Sequence, residues 1–156
     1  MKRLFFLLVT LISVSCSTSE ENYSVQSITP ITVGKGDLTS YPFIQPRQLV
    51  ITNSADWAAL RNEIDSYYIG IGLGNHFTNT FFQETTIDFT SFEAIVVIDQ
   101  GYGNGGHSID ITSISENQSS IIVTVQNLNT GGLTTVVTQP YHIVKIPIST
   151  KPVVFQ

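Results

Sequence analysis

Cysteine is almost absent from this chain: Cys16 is the only one among 156 residues. A single cysteine excludes a disulfide within the chain. Basic residues are also few, with 7 Lys and Arg against 12 Asp and Glu, which gives a formal net charge of −5. Nucleic-acid binding depends on clustered basic side chains that displace counterions. The composition therefore argues against a nucleic-acid partner and against electrostatic docking on anionic lipid.

The N-terminal region lacks an apolar run long enough to cross a membrane. The run Leu4–Ile12 has nine residues, whereas a transmembrane helix needs about 20. Lys2 and Arg3 precede this run, and small residues follow it. This order of basic, apolar and small residues predicts a secretory signal peptide over residues 1–15.

Cys16 follows the predicted signal directly. The tail Ser13-Val14-Ser15-Cys16 resembles a bacterial lipobox, in which the cysteine is acylated and becomes the first residue of the mature protein. Two or more acyl chains hold firmly, because each buried methylene contributes about 0.8 kcal/mol. We therefore expect lipidation of Cys16, a flexible tether over residues 16–24, and an extracytoplasmic position on a bacterial membrane, expected to be the outer membrane. Whether the domain faces the periplasm or the cell surface stays open.

Residues 25–156 predict a single β-rich domain. The unbroken apolar run Ala94–Ile98 predicts a central strand that is covered on both faces. Short strands follow one another closely, at residues 108–115, 120–128, 134–138 and 141–147. We expect a mainly β (α+β) fold, an antiparallel sheet or sandwich with one α-helix on a sheet face.

The one predicted helix covers Asn53–Asp65. Asn53 or Ser54 can cap its N-terminus, Trp57 begins a series of apolar residues at helical spacing, and Arg61 can pair with Asp65 one turn later. We interpret Trp57 as a core residue. Three other segments are predicted as irregular or marginal structure: an edge strand with Pro30 over Val25–Val33, a turn at Lys35-Gly36-Asp37, and a loop or weak strand over Gly70–Thr86.

A glycine-rich loop follows the central strand, and its letters match the GxGxxG pattern of dinucleotide-binding proteins. That pattern requires a helix directly after it, whereas the sequence continues with a strand pattern at Ser108–Ser115. We therefore predict a hairpin loop whose glycines take positive φ and which serves as a contact surface. The candidate partner-binding residues are Gly101, Tyr102, Gly103, Asn104, Gly105, Gly106, His107 and, on a nearby strand, Tyr141.

Catalytic and metal-binding patterns are missing. His76, His107 and His142 do not have the spacing of a zinc signature, and surface or hydrogen-bonded histidines are expected instead. No Gly-x-Ser-x-Gly elbow is present, and Cys16 is assigned to lipid. We predict a protein that is not an enzyme and that has no catalytic residues, no metal and no cofactor.

Residues 87–156 resemble the PrcB C-terminal domain family. The resemblance rests on four groups of residues: Ile87-Asp88-Phe89 with Phe92-Glu93; Gly101 with Gly105-Gly106-His107-Ser108-Ile109; Gln139-Pro140-Tyr141-His142-Ile143-Val144-Lys145-Ile146-Pro147; and Val153-Val154-Phe155. The family usually has Thr-Gly-Gly-Tyr where this chain has Asn104-Gly105-Gly106-His107.

The resemblance implies a lipoprotein associated with the stability of a protease complex, and it transfers no catalytic residue. Our leading hypothesis is a membrane-anchored, non-enzymatic module that binds an extracellular protease or another surface protein. One alternative is a β-sandwich protease inhibitor, since the Gly-Gly loop is loosely similar to the wedge loops of chagasin-type inhibitors. The other is a carbohydrate-binding module that stacks sugars on Trp57, Tyr67, Tyr68 and Tyr102.

Overall fold

The computed structural model describes residues 24–39, 41–70 and 77–156. The predicted signal peptide, Cys16, His76 and nearly all of the predicted tether lie outside these residues. Within the described residues, neither helix is long and apolar enough to span a membrane.

The part of the chain that the structure describes contains eight strands and two helices. They are β1 (Gln26–Ile28), β2 (Ile31–Leu38), β3 (Arg47–Ile51), α1 (Ser54–Gly70), α2 (Phe77–Phe81), β4 (Phe92–Ile98), β5 (Asp110–Glu116), β6 (Ile121–Gln126), β7 (Gln139–Pro147) and β8 (Val153–Phe155). The strands form two four-stranded sheets, sheet 1 in the order β1-β5-β6-β8 and sheet 2 in the order β2-β7-β4-β3. All pairs are antiparallel except β6–β8. The predicted mainly β sandwich is confirmed.

The central strand β4 is buried on both faces, as its apolar run predicts. Ile95 and Val97 face sheet 1 in one core cluster, whereas Ala94, Val96 and Ile98 belong to a second cluster with α1. Each fully buried side chain of this size stabilises the fold by about 1.5–3 kcal/mol relative to exposure. The molecule therefore has three layers: α1, sheet 2 and sheet 1.

Helix α1 begins as predicted and extends five residues further. The Asn53 side-chain oxygen accepts a hydrogen bond from the Asp56 amide at 2.9 Å, so Asn53 satisfies one of the free N–H groups of the first turn. Trp57 is buried among the residues of the second cluster, and its indole N–H donates to the Thr85 carbonyl at 2.9 Å. The interpretation of Trp57 as a core residue is confirmed.

The segment that follows α1 contains a second helix, so the predictions of one helix and of an irregular loop over Gly70–Thr86 were incomplete. The predicted Arg61–Asp65 pair is wrong, because both side chains bind α2. Asp65 accepts from the Thr78 amide at 2.9 Å and from its hydroxyl at 2.8 Å. Arg61 donates to the Asn79 side chain at 2.8 Å. Asp65 thereby satisfies one free amide in the first turn of α2, and both side chains attach to α1 a helix that is too short to be stable alone.

Three other local predictions are wrong. Lys35, Gly36 and Asp37 lie in β2 and not in a turn, because they pair with residues of β7. Residues 134–137 form no strand, and only Thr138 pairs, in a single bridge with Tyr102. The glycine loop is not a hairpin, because β4 and β5 belong to different sheets.

The sandwich has two ends, which we name by what lies there. At the loop end, β4 and β6 finish and β5 and β7 begin, so residues 99–109 and 127–138 lie there. At the tether end, β1 enters the fold, because Gln26 pairs with Glu116 at the far end of β5.

Candidate functional site

Two loops are joined at the loop end, residues 99–109 and residues 127–138, and we call them the paired loops. Tyr102 and Thr138 exchange backbone hydrogen bonds of 2.8 and 3.1 Å. The Gly105 amide donates to Thr134 at 3.1 Å, and the Gly132 amide donates to Gly105 at 2.9 Å. The loops therefore satisfy each other's backbone groups, in the way that strands of a sheet do.

Tyr102 and His107 stack on each other within the first loop. Their ring centroids are 3.6 Å apart, and the ring planes differ by 7°. The Tyr102 hydroxyl donates to the Asp99 carboxylate at 2.8 Å, which also accepts from the Asn127 side chain at 2.8 Å. Partial burial and the bond to Asp99 raise the pKa of Tyr102, so its phenol stays protonated as a donor. The stack is consequently fixed from both loops.

Asn104 connects the two loops through its side chain. Its amide nitrogen donates to the Gly132 carbonyl at 2.9 Å, while its amide oxygen lies 3.0 Å from His107 Nε2. Gly131 must be glycine beside this contact, since its φ is +88° and a Cβ there would lie 2.2 Å from His107 Nε2. The predicted positive φ holds for Gly106, at +83°, but for no other glycine in residues 101–106.

A third segment, residues 41–46, packs against the paired loops. A Cβ on Gly101 would lie 2.0 Å from the Phe43 ring, so the absence of a side chain at Gly101 lets that ring pack. Tyr41 meets Phe43 edge to face, with centroids 5.6 Å apart. Gln139 fastens the same segment, since it exchanges two hydrogen bonds with the Ile44 backbone, 2.9 and 2.6 Å long.

Apolar side chains protrude from this assembly into solvent. Leu133 is fully exposed, and three others are more than half exposed: Tyr41, Leu128 and Val136. Sequence reasoning missed them. The available signal was the presence of Leu and Val in an Asn-, Gly- and Thr-rich segment, residues 127–138, without the alternation of a strand. Contiguous exposed apolar surface marks interaction sites, so we take the surface formed by the paired loops and residues 41–46 as the candidate contact surface.

Seven of the eight predicted contact residues, Gly101 to His107, lie together in the first of the paired loops. Tyr141 does not join them, because it is 2% exposed and its ring packs against Phe77 and Phe82 beneath α2. Burial raises the pKa of Tyr141. It therefore belongs to the core and not to the surface of the loop end.

An ion pair lies between the two sheets just below the paired loops. Lys35 of β2 is paired with Asp110 of β5, and the Ser108 hydroxyl donates to Asp110 at 2.6 Å. Burial opposes ionisation, but the hydrogen bonds from Lys35 and Ser108 lower the pKa of Asp110. Beside the ion pair, His142 Nδ1 accepts from the Ile111 amide at 2.9 Å, as expected for a hydrogen-bonded histidine. Across the described ranges, no three His, Cys, Asp or Glu side chains are grouped to hold a metal ion.

The resemblance to the PrcB C-terminal domain family remains a prediction that rests on the residues quoted for it. Comparison with protein-family models, with curated proteins and with solved structures finds no match to this chain.

Proposed function

We propose that this protein is a lipid-anchored extracytoplasmic module that binds a protein partner through the paired loops and catalyses no reaction. The observation that carries the proposal is the set of protruding apolar side chains on loops that are already hydrogen-bonded to each other. Binding by ordered loops loses little conformational entropy. Exposed apolar surface that becomes buried at an interface contributes to binding through the hydrophobic effect, and tyrosines such as Tyr41 are enriched among the residues that contribute most. Tyr141 is left out because it is buried.

The positions of the two ends support this proposal. Gln26 lies ten residues after Cys16, so the chain between them reaches at most about 36 Å. The seven residues of β5 separate the tether end from the loop end by about 23 Å. The segment from Cys16 therefore joins the sandwich at the end opposite the paired loops, so a lipid on Cys16 is not attached at the proposed contact surface.

The anchor is tested by replacing Cys16 with serine. We expect Cys16→Ser to move the protein from the membrane fraction to the soluble fraction, because a hydroxyl at this position cannot receive the thioether-linked lipid. Fractionation followed by mass spectrometry of the N-terminal peptide measures both changes. If the variant remains in the membrane fraction, as the wild type does, lipidation of Cys16 is not the anchor.

The contact surface is tested by Leu133→Ser in a pulldown from surface-labelled cells. We expect at least about a tenfold loss of partner, since an exposed leucine that becomes buried at an interface contributes about 1.4 kcal/mol or more. Ile148→Ser is the control, because Ile148 is an exposed aliphatic residue too, at 49%, but follows β7 at the tether end. Equal recovery with both variants would remove the paired loops from the proposal.

The class of partner follows from the resemblance, which implies an extracytoplasmic protease. Purified protein is then added to that protease with a fluorogenic peptide. A module that stabilises the protease leaves the initial rate unchanged and extends its lifetime, whereas an inhibitor lowers the initial rate. No observation favours sugar binding as a second function, because Trp57 and Tyr68 are buried.

A further inference from the structure

A separate concave site lies at the edge of sheet 2. It is enclosed by the C-terminal half of β2, the end of α1 and the short helix α2, and its volume is about 560 Å³. Sites for small molecules are typically roughly 300–1,000 Å³. Residues that line it include Lys35, Asp37, Tyr68, Phe77, Phe81 and Tyr141.

Aromatic rings form most of the apolar wall of this cavity. Tyr68 and Phe77 stack with centroids 4.1 Å apart, and Phe81 lies 4.6 Å from Phe77. Phe81 is 58% exposed, so an aromatic ring at the cavity is open to solvent although buried rings are adjacent. A ligand that covers Phe81 would therefore remove apolar surface from water.

The cavity is lined by one basic and one acidic side chain, Lys35 and Asp37. The Lys35 ammonium is neutralised by Asp110, whereas Asp37 Oδ1 is buried without a hydrogen-bond donor among the described residues. Burial raises the pKa of Asp37, and the nearby charge of His107 opposes this shift only in part. A buried carboxylate oxygen without a donor is costly. Because Asp37 lines the cavity, a cationic group bound there would stabilise the ionised form of this carboxylate.

We propose that this cavity binds an organic cation, an ammonium group carried on an apolar stem. The ammonium group would pair with the Asp37 carboxylate, and the stem would cover Phe81. Ring faces attract cations through their quadrupole, and a charge-assisted hydrogen bond is about twice as strong as a neutral one. An anionic ligand would be repelled by Asp37, and a neutral ligand would gain only the ring contacts.

The test is calorimetric titration of the full-length protein in detergent with 2-phenylethylamine and with its neutral analogue 2-phenylethanol. We expect the amine to bind at least about tenfold more tightly, and Asp37→Asn to abolish the difference, because the variant keeps the shape of the side chain and loses its charge. Asp88→Asn removes the same charge from an exposed loop and should leave both affinities unchanged. Equal affinities for amine and alcohol in the wild type would overturn the proposal, as would an unchanged preference in Asp37→Asn.

Phe81→Ala covers the case in which Asp37→Asn does not fold. Phe81 is mostly exposed, so its truncation is tolerated, and we expect about a threefold loss of amine affinity through the missing ring contact. The affinity should also fall as the pH falls through the pKa of Asp37, since a protonated carboxyl group does not attract a cation. An amine affinity that neither change reduces would overturn the proposal.

The ammonium group can come from a free amine or from a lysine side chain. A blocked peptide with one lysine is therefore titrated beside 2-phenylethylamine, and Asp37→Asn is used with both. Tighter binding of the peptide assigns the cation to a protein ligand, and tighter binding of the amine assigns it to a small molecule. Either outcome supports the proposal if Asp37→Asn weakens the binding. Leu133→Ser, the variant that tests the paired loops, should leave this binding unchanged.

Discussion

Replacing Gln139 by leucine is expected to lower the free energy of unfolding by at least about 3 kcal/mol. Gln139 is 1% exposed and makes three hydrogen bonds to backbone: one from the Ile44 amide, one to the Ile44 carbonyl, and one to the Asp99 carbonyl at 2.9 Å. Leucine is similar in size but has neither donor nor acceptor. Each backbone group that is left buried without a partner costs about 1–3 kcal/mol.

Urea denaturation measures this loss, and Gln126→Leu is the matched control. Gln126 lies at the end of β6 and is exposed, so its replacement should change the unfolding free energy by no more than about 0.5 kcal/mol. Hydrogen exchange should also quicken in residues 41–46 and 99–109, because Gln139 links these segments. A loss below about 1 kcal/mol in Gln139→Leu would contradict this role for the side chain.

The elements that could be predicted are those in which the order of apolar and polar residues shows directly which side chains are buried. The run Ala94–Ile98 has no polar residue, and a strand of this kind is stable only between two apolar layers. Asn53 before a series of apolar residues at helical spacing predicts the start of α1. In both cases the local pattern and the tertiary packing favour the same structure, so the sequence was sufficient.

The predictions that failed concern segments whose structure is determined by contacts with residues distant in sequence. Gly36 lies between a lysine and an aspartate, which is typical of a turn, but pairing with β7 about 100 residues later holds it in a strand. Arg61 and Asp65 have the spacing of an ion pair, yet both bind α2, whose own sequence carries no strong helix signal. Tertiary hydrogen bonds outweigh a surface ion pair, which contributes only about 0.3–0.5 kcal/mol.

The candidate site was predicted in part for a similar reason. Glycines followed by a strand pattern indicate a loop, and residues 101–107 do lie together at the loop end. Their attachment to residues 127–138 depends on Asn104 and on backbone pairs with no sequence pattern. The protrusion of Leu133 is likewise set by the path of its loop, because an isolated leucine is more often buried than exposed.

A buried histidine between the two sheets makes the stability of this protein depend on pH. His142 is 6% exposed and faces Lys35 of β2 and Asp110 of β5. Burial and the charge of Lys35 lower the pKa of His142 to about 4, although Asp110 acts in the opposite direction. Its Nδ1 accepts from the Ile111 amide, so the proton of the neutral ring is on Nε2. A second proton would have to enter at Nδ1, and that bond would be lost.

The unfolded chain binds this proton near pH 6.5, whereas the folded protein binds it only near pH 4, so stability is lost as the pH falls from about 6.5 to about 4. The loss attributable to His142 is about 3 kcal/mol.

The test compares the wild type with His142→Asn, because other groups also make stability depend on pH. Burial raises the pKa of Asp37 and of Glu93, so these two carboxyl groups favour the folded state as the pH falls, which is opposite to the effect of His142. The asparagine oxygen can accept the Ile111 bond and does not titrate. The stability advantage of the wild type should shrink by about 3 kcal/mol between pH 7 and pH 4. A difference that stays constant across this interval would show that His142 does not titrate with a lowered pKa.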